Sequence, residues 1–89
     1  MSEVAVKIKI MPKSINTDLS LLEKKIEKIL PNGSKVYGDW KIEPIAFGLN
    51  SLIVTIIIND DKGEIDSIEN SIQNVNEVES IQILEMGRL

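Results

Sequence analysis

The sequence predicts an α+β sandwich in which two helices cover one face of a four-stranded antiparallel sheet. Three patterns support this: a strand-like alternation near the start, a nearly continuous apolar run in the middle, and an amphipathic helical pattern after each of them. They give the order βαββαβ, as two strand–helix–strand halves of similar length within 89 residues. Two helices at this spacing can cover only one sheet face, which defines the ferredoxin-like arrangement.

The first half opens with an alternation of period two, which is typical of a strand with one buried face. Its apolar positions are Val4, Val6, Ile8 and Ile10, and Met11-Pro12 is expected to end it. A helix is predicted next, with N-cap candidates at residues 16–18. Its apolar face is expected to contain Leu19, Leu22, Ile26, Ile29 and Leu30.

The second half is built around the apolar run 52–58, whose β-branched composition predicts a central strand. Residues 34–43 before it are predicted to form an edge strand, because Gly38 and Pro44 suit an edge better than a centre. After the turn 59–63, a second amphipathic helix contains Ile65, Ile68, Ile72 and Val75. The last strand is expected at 78–84. The sheet face away from the helices is left open, with Lys7 and Lys9 on it.

Composition excludes several kinds of chemistry. The chain has no Cys and no His, so disulfides, thiolate catalysis and the usual general base are absent. It has no signal-peptide pattern and no apolar run long enough to span a membrane, so we expect a cytoplasmic protein without a membrane partner. The net charge of −4 argues against direct nucleic-acid binding. The adjacent acids Asp60 and Asp61 are read as a solvated turn. We expect no catalytic residue, no metal site and no cofactor.

Charge and aromatic residues are unevenly distributed. Residues 45–89 contain two cations, Lys62 and Arg88, against eight acids, so Arg88 stands alone near an acidic end. All three aromatic residues lie between Tyr37 and Phe47, and no other phenylalanine is present. The position of Trp40 is as compatible with a residue that covers the core as with one that contacts a partner. Phe47, placed between Pro44 and Gly48 where a turn is expected, is predicted to project outward as an anchor for a partner protein.

The stretch EPIAFGLNSLIVTIIINDD resembles the signature region of the elongation factor 1-beta family, the guanine-nucleotide exchange factors of the GTPase elongation factor 1-alpha. Pro44, Phe47, Gly48 and the acids at 60–61 occupy the matching places. VAVKIKIMPKS at the start and a basic residue followed by Leu at the end extend the resemblance over essentially the whole chain, and the length resembles the archaeal form. The family has a ferredoxin-like fold, so the resemblance and the pattern of apolar residues predict the same architecture.

The resemblance implies a translation elongation factor, a single exchange-factor domain over residues 1–89, that promotes GDP release and GTP rebinding on elongation factor 1-alpha. By this resemblance Phe47 matches an aromatic that wedges into the GTPase near its nucleotide. Arg88 matches a basic residue, Lys in eukaryotic members, that reaches the magnesium and phosphate region, and Leu89 matches a terminal apolar residue. Pro44 and Gly48, which fill matching places of the family pattern on either side of Phe47, are expected to belong to the same partner-binding site.

Two other functions are compatible with a ferredoxin-like fold. A small ligand-binding or regulatory domain would be expected to have a glycine-rich loop after the first strand, and residues 11–14 contain no glycine. An acylphosphatase-type enzyme would need an arginine in that loop, whereas Arg88 lies at the far end of the chain.

Overall fold

The computed structural model describes residues 3–31, 33–59 and 62–88. Along the chain lie strand β1 (Glu3–Pro12), helix α1 (Leu19–Ile29), strands β2 (Lys35–Pro44) and β3 (Asn50–Asn59), helix α2 (Lys62–Gln73) and strand β4 (Val78–Arg88). The strands form one antiparallel sheet in the order β2-β3-β1-β4. The predicted fold is therefore confirmed, including the central places of the first and third strands.

The core lies between one face of the sheet and the two helices. Each helix buries two residues there, Leu22 and Ile26 from α1 and Ile68 and Ile72 from α2, against the alternate side chains of the central strands. Fully burying such a side chain contributes about 1.5–3 kcal/mol. Helix α1 begins after Asp18, whose carboxylate accepts a hydrogen bond from the backbone N–H of Leu21. Ile29, expected on the buried face of this helix, is exposed because it lies in the last turn, beyond the buried stretch.

Strand β3 is buried on both faces, although helices cover only one of them. Ile53 and Ile57 point to the open face and are nevertheless buried. The ammonium of Lys9 on β1 lies 3.1 Å from a carboxylate oxygen of Glu43 on β2. Since β3 runs between these two strands, the Lys9 and Glu43 side chains meet over the open face of β3. The apolar stem of Lys9 thereby helps to shield the β3 side chains on that face from water.

Both edge strands contain bulges that the apolar pattern does not reveal. In β2, the four-residue step from Tyr37 to Lys41 matches only a two-residue step on β3, and Gly38 between them has a φ of 75°. In β4 the register shifts between the partners of Lys7 and Ile8, where Leu84 is the extra residue. Such bulges twist an edge strand and discourage it from pairing with another chain.

Two strand predictions need correction, and one side chain is more exposed than its face suggests. β1 continues through Met11 and Pro12, since Pro12 is in the last pair of the β1–β4 ladder and has no partner on β3, where a residue without an N–H is tolerated. β4 runs to Arg88 rather than ending at Leu84, because the bulge restores its pairing with β1. Ile42 is 55% exposed although it shares the helix-facing side of β2.

Candidate partner-binding site

The turn between β2 and β3 is closed by two backbone hydrogen bonds. The N–H of Leu49 donates to the carbonyl of Ala46 at 3.0 Å, and the N–H of Ile45 donates to the carbonyl of Leu49 at 2.8 Å. The two residues between Ala46 and Leu49 are Phe47, with a φ of 56°, and Gly48, with a φ of 80°. Positive φ at both central positions is the pattern of a type I′ turn, whose twist matches that of the strands it joins.

Phe47 is an unfavourable residue for its position in this turn. Gly48 adopts positive φ at no steric cost, but the left-handed region costs a residue with a side chain roughly 1–2 kcal/mol. The Phe47 side chain recovers nothing from the fold, since it is 99% exposed. The prediction that Phe47 points outward is confirmed. An exposed apolar side chain held in a strained backbone is typical of a functional site rather than of a packing residue.

The surroundings of Phe47 hold its turn rigidly and add apolar surface. Pro44 is the last residue of β2 and pairs with Asn50, so the fixed φ of proline leads directly into the turn. The hydroxyl of Ser51 donates to the carbonyl of Glu43 at 3.1 Å, which joins the strands just before the turn. Ile42 and Ile45 are also exposed. Phe47 therefore stands at the tip of a well-ordered hairpin with apolar flanks.

The other two aromatic residues contribute less to such a surface. Trp40 packs against the core, and its indole N–H donates to a carboxylate oxygen of Glu27 on α1 at 3.2 Å. Tyr37 is exposed on the open face of the edge strand β2. The aromatic cluster of the sequence is thus divided among the core, the open sheet face and the turn.

Arg88 is the last described residue of β4, where it pairs with Val4 of β1. Its neighbour Gly87 pairs with Ala5 and has no positive φ, so it does not turn the chain as a terminal glycine could. Arg88 is exposed and lines a cleft of about 280 Å³ on the sheet surface together with Lys7, Thr55 and Glu85. Leu89 and the acids at 60–61 lie outside the described residues.

The structure does not bring Phe47 and Arg88 together. In the sheet, Arg88 is aligned with Val4 on β1, which is aligned with Ile58 on β3. Phe47 follows Pro44 of β2, which is aligned with Asn50 at the other end of β3. Ile58 lies eight positions after Asn50 on β3, which is about 26 Å of strand. The two candidate contacts thus lie at opposite ends of a molecule that is 42 Å long.

Two carboxylates have shifted pKa values, and neither belongs to these contacts. A hydrogen bond from the Lys25 ammonium lowers the pKa of Glu77 against an opposing effect of burial. Oxygen Oε1 of Glu77 is buried, with no partner among the described residues. Partial burial, together with the nearby charge of Glu27, raises the pKa of Glu23. Both carboxylates lie away from the Phe47 turn and from Arg88, so they bear on stability rather than on recognition.

Within residues 3–31, 33–59 and 62–88, no three acidic side chains come close enough together to hold a metal ion. Neither helix there has the length and hydropathy needed to cross a membrane. The geometry places two candidate contact residues far apart, one apolar (Phe47) and one cationic (Arg88). The sequence pattern identified both residues but not the left-handed turn or the strand around Arg88, because those depend on pairing with distant segments.

Comparison with known proteins identifies the family of this chain. Residues 5–89 match the family model described as EF-1 guanine nucleotide exchange domain. The chain is 46% identical to elongation factor 1-beta of Methanosarcina barkeri and 48% identical to that of Methanosarcina acetivorans, over the full length of both chains in each case. It is 44% identical to elongation factor 1-beta of Haloarcula marismortui, again over full length.

Among solved structures, one named BlrP1 BLUF matches all of this chain with a TM-score of 0.58. The sequence identity is 12%, and the chain spans 56% of that protein. At this identity the likeness concerns the α+β fold alone.

Proposed function

The chain belongs to the family of EF-1 guanine nucleotide exchange domains, and from that premise we propose that it promotes GDP release and GTP rebinding on elongation factor 1-alpha. It acts as a single exchange-factor domain over residues 1–89, in the cytoplasm, as a translation elongation factor. The family match and the full-length relatives named elongation factor 1-beta support this role.

The proposed mechanism is differential binding and requires no catalytic group. An exchange factor accelerates nucleotide release when it binds the nucleotide-free GTPase more tightly than the nucleotide-bound form. By linkage, the bound factor then weakens nucleotide affinity by the same ratio. A rigid domain that presents contacts to the GTPase is sufficient, and neither proton transfer nor covalent chemistry is needed.

The observation on which the proposal depends most is Phe47, which is fully exposed at the tip of a strained, hydrogen-bonded turn. Inserting a phenylalanine into an apolar pocket of the partner removes its whole side chain from water. Since the ring is already displayed by the free protein, no reorganisation opposes binding. Pro44 and Gly48 support this anchor by fixing the turn.

Arg88 and Leu89 are proposed to form the second contact. A nucleotide site of a GTPase gathers phosphates and the carboxylates that hold magnesium, so a cation placed beside it competes electrostatically with the metal. Arg88 would supply this cation. It is broader than the Lys of eukaryotic relatives, so its effect is expected to come from charge rather than from deep insertion.

The separation of the two contacts restricts how they can act. A strand distance of about 26 Å means that Phe47 and Arg88 contact different parts of the GTPase and cannot share one pocket. Arg88 is the better candidate for the magnesium region because it is charged. Phe47 then anchors the chain elsewhere, and the rigid sheet between them fixes the distance that the partner must match.

The proposal is tested by nucleotide release from elongation factor 1-alpha. The GTPase is loaded with fluorescent GDP and mixed with excess GTP in a stopped-flow instrument, with increasing amounts of this chain. The release rate should rise with concentration and then saturate, and the chain should bind nucleotide-free GTPase more tightly than the GDP form. An unchanged release rate at concentrations where the two proteins form a complex would exclude the exchange role.

A further inference from the structure

The end of the domain that carries the Phe47 turn also carries the connection between β1 and α1. Ile10 of β1 is aligned with Leu52 of β3. Two positions nearer to this end, Pro12 and Asn50 are therefore level with each other, and they are the last residue of β1 and the first of β3. Neighbouring strands lie about 5 Å apart, so the two connections leave the sheet side by side. Helix α1 begins at this end too, because it follows the first of them.

Ile15, in the connection between β1 and α1, is displayed much as Phe47 is. The N–H of Thr17 donates to the carbonyl of Ser14 at 3.2 Å, and the N–H of Asn16 donates to the Ser14 hydroxyl at 3.0 Å. Ile15 is the second residue of the turn that these bonds close, a position where proline and small polar residues are more usual. Its side chain is 63% exposed, so the fold gains little from an isoleucine there.

Exposed apolar side chains are concentrated at this end. In the part of the chain that the structure describes, nine large apolar side chains are exposed, and five of them lie here: Ile15, Leu21 in the first turn of α1, Ile42, Ile45 and Phe47. We call these five residues the apolar end. Exposed apolar residues that are scattered singly are ordinary, but a group of them on neighbouring connections is typical of an interaction surface.

The Phe47 side chain is too small to form a specific interface by itself. A phenylalanine buries about 150–250 Å², whereas a stable interface covers roughly 800 Å² on each partner. The fully buried centre of an interface is also its most apolar part. The other members of the apolar end lie beside Phe47 and are apolar, so they are the surface that most directly extends its contact.

We propose that the apolar end as a whole, and not Phe47 alone, docks against an apolar surface of elongation factor 1-alpha. Phe47 is the anchor, and the isoleucines and the leucine around it exclude water from the contact. The inference rests on the proposed exchange function and adds the β1–α1 connection and the start of α1 to the binding site. The GTPase is favoured over a second copy as occupant, because two copies would bring together two net charges of −4.

The test removes apolar side chains from this end and compares them with a matched position elsewhere. Leu21→Ser and Ile29→Ser make similar changes at two exposed positions of α1, the first in its first turn and the second in its last. Ile15→Ser replaces the turn residue by one that turns favour. Ile42→Thr keeps a β-branched residue on β2. Melting temperature and affinity for nucleotide-free elongation factor 1-alpha are measured for the full chain with each change.

Binding should weaken at the apolar end while stability is retained. Ile15→Ser, Leu21→Ser and Ile42→Thr should each lower affinity by about threefold to tenfold, and Ile29→Ser should leave it unchanged. The melting temperatures should hardly change, because all four side chains are exposed. The losses should be the same at low and high salt, because salt screens charges and not apolar contacts.

The outcomes distinguish this inference from the exchange function itself. If the wild-type chain binds and accelerates GDP release while Ile15→Ser, Leu21→Ser and Ile42→Thr bind equally well, the extended docking surface is wrong and the exchange function stands. If the wild-type chain does not bind the GTPase at all, both fail. An equal loss in Ile29→Ser would also overturn the inference, because the effect would then not be confined to the apolar end.

Sedimentation of the free chain tests the other occupant. The chain should remain a monomer at the concentrations used for binding. A dimer that Ile15→Ser dissociates, together with unchanged binding of that variant to the GTPase, would assign the apolar end to a second copy and overturn the proposal.

Discussion

Phe47 lies at one end of the four-stranded sheet and Arg88 at the other. About 26 Å of strand separates the positions on β3 that are nearest to them, Asn50 and Ile58. Phe47 is displayed by a turn, whereas Arg88 is held in a paired strand. Because the intervening β1 and β3 are buried and hydrogen-bonded along their length, this distance is a fixed property of the domain.

This separation predicts that the two contacts act independently. Residues more than 7–10 Å apart without shared partners usually contribute additively to a measured free energy. The double variant Phe47→Ala/Arg88→Gln should therefore lose a binding free energy equal to the sum of the single losses, within about 0.5 kcal/mol. Titration calorimetry with nucleotide-free elongation factor 1-alpha checks this. A clearly smaller loss in the double variant would mean that both residues serve one site.

Substitution of Phe47 should separate binding from stability. Phe47→Ala removes no internal contact, so its melting temperature should hardly change, while binding should weaken by about 2 kcal/mol or more. Phe47→Asn should do the same and also raise the melting temperature, because Asn-Gly is favoured in a type I′ turn. Thermal denaturation and binding are measured on both. A large fall in melting temperature would show that Phe47 contributes to the core.

Substitutions of Arg88 should depend on charge and on magnesium. Arg88→Lys should retain most exchange activity and Arg88→Glu should lose it, whereas both should keep the strand, since the backbone pairing with Val4 is unchanged. Removing Arg88 and Leu89 should slow GDP release in stopped flow. The loss should shrink as free magnesium is lowered, because chelation then replaces the effect of the cation. Full activity of the shortened chain at millimolar magnesium would exclude a role for the tail.

Ile56 is expected to be a major contributor to stability. It is fully buried on β3, between Val6 of β1 and Val36 of β2. Ile56→Ala should lower the free energy of unfolding by about 2–5 kcal/mol. Ile42→Ala makes the same deletion at an exposed position of the edge strand, and its cost should stay below about 1 kcal/mol. Urea denaturation measures both, and equal costs would contradict the burial of the central strand.

Acid should weaken the protein in part through Glu77. The Lys25 ammonium lowers the pKa of this carboxyl below its ordinary 4.5 in the folded state. A carboxyl with a lowered folded pKa adds stability above the unfolded value and loses it as the pH falls through the folded value. Glu77→Gln should therefore be less stable than the wild type near neutral pH, and the difference should shrink in acid as the pH falls through the lowered pKa of Glu77.

The control for this pH effect is Glu79→Gln, which removes an exposed carboxylate two residues further along the chain, in strand β4. The denaturation midpoint of Glu79→Gln should differ little from that of the wild type, both near neutral pH and in acid. If Glu77→Gln and Glu79→Gln behaved alike across the titration, the Lys25–Glu77 contact would not contribute to the pH dependence.

Local patterns in the sequence were enough to predict the order of elements, the helix-covered face and the central strands. Alternation at Val4 to Ile10 and the dense apolar run around Val54 reflect burial directly, because each side chain's face follows from its position in a strand. The same holds for the buried Leu22 and Ile26 of the first helix. The exposure of Phe47 also followed from local signals, namely its place between a proline and a glycine.

Features that depend on pairing between distant segments were decided only by the tertiary structure. The bulges beside Gly38 and Leu84 exist because β2 and β4 have more residues than their partner strands, and a register cannot be read from one strand alone. The extension of β4 to Arg88 and the distance between Arg88 and Phe47 both follow from those registers. The sequence therefore indicated which residues are candidates for contact with a partner, and only the assembled sheet determined how far apart they are held.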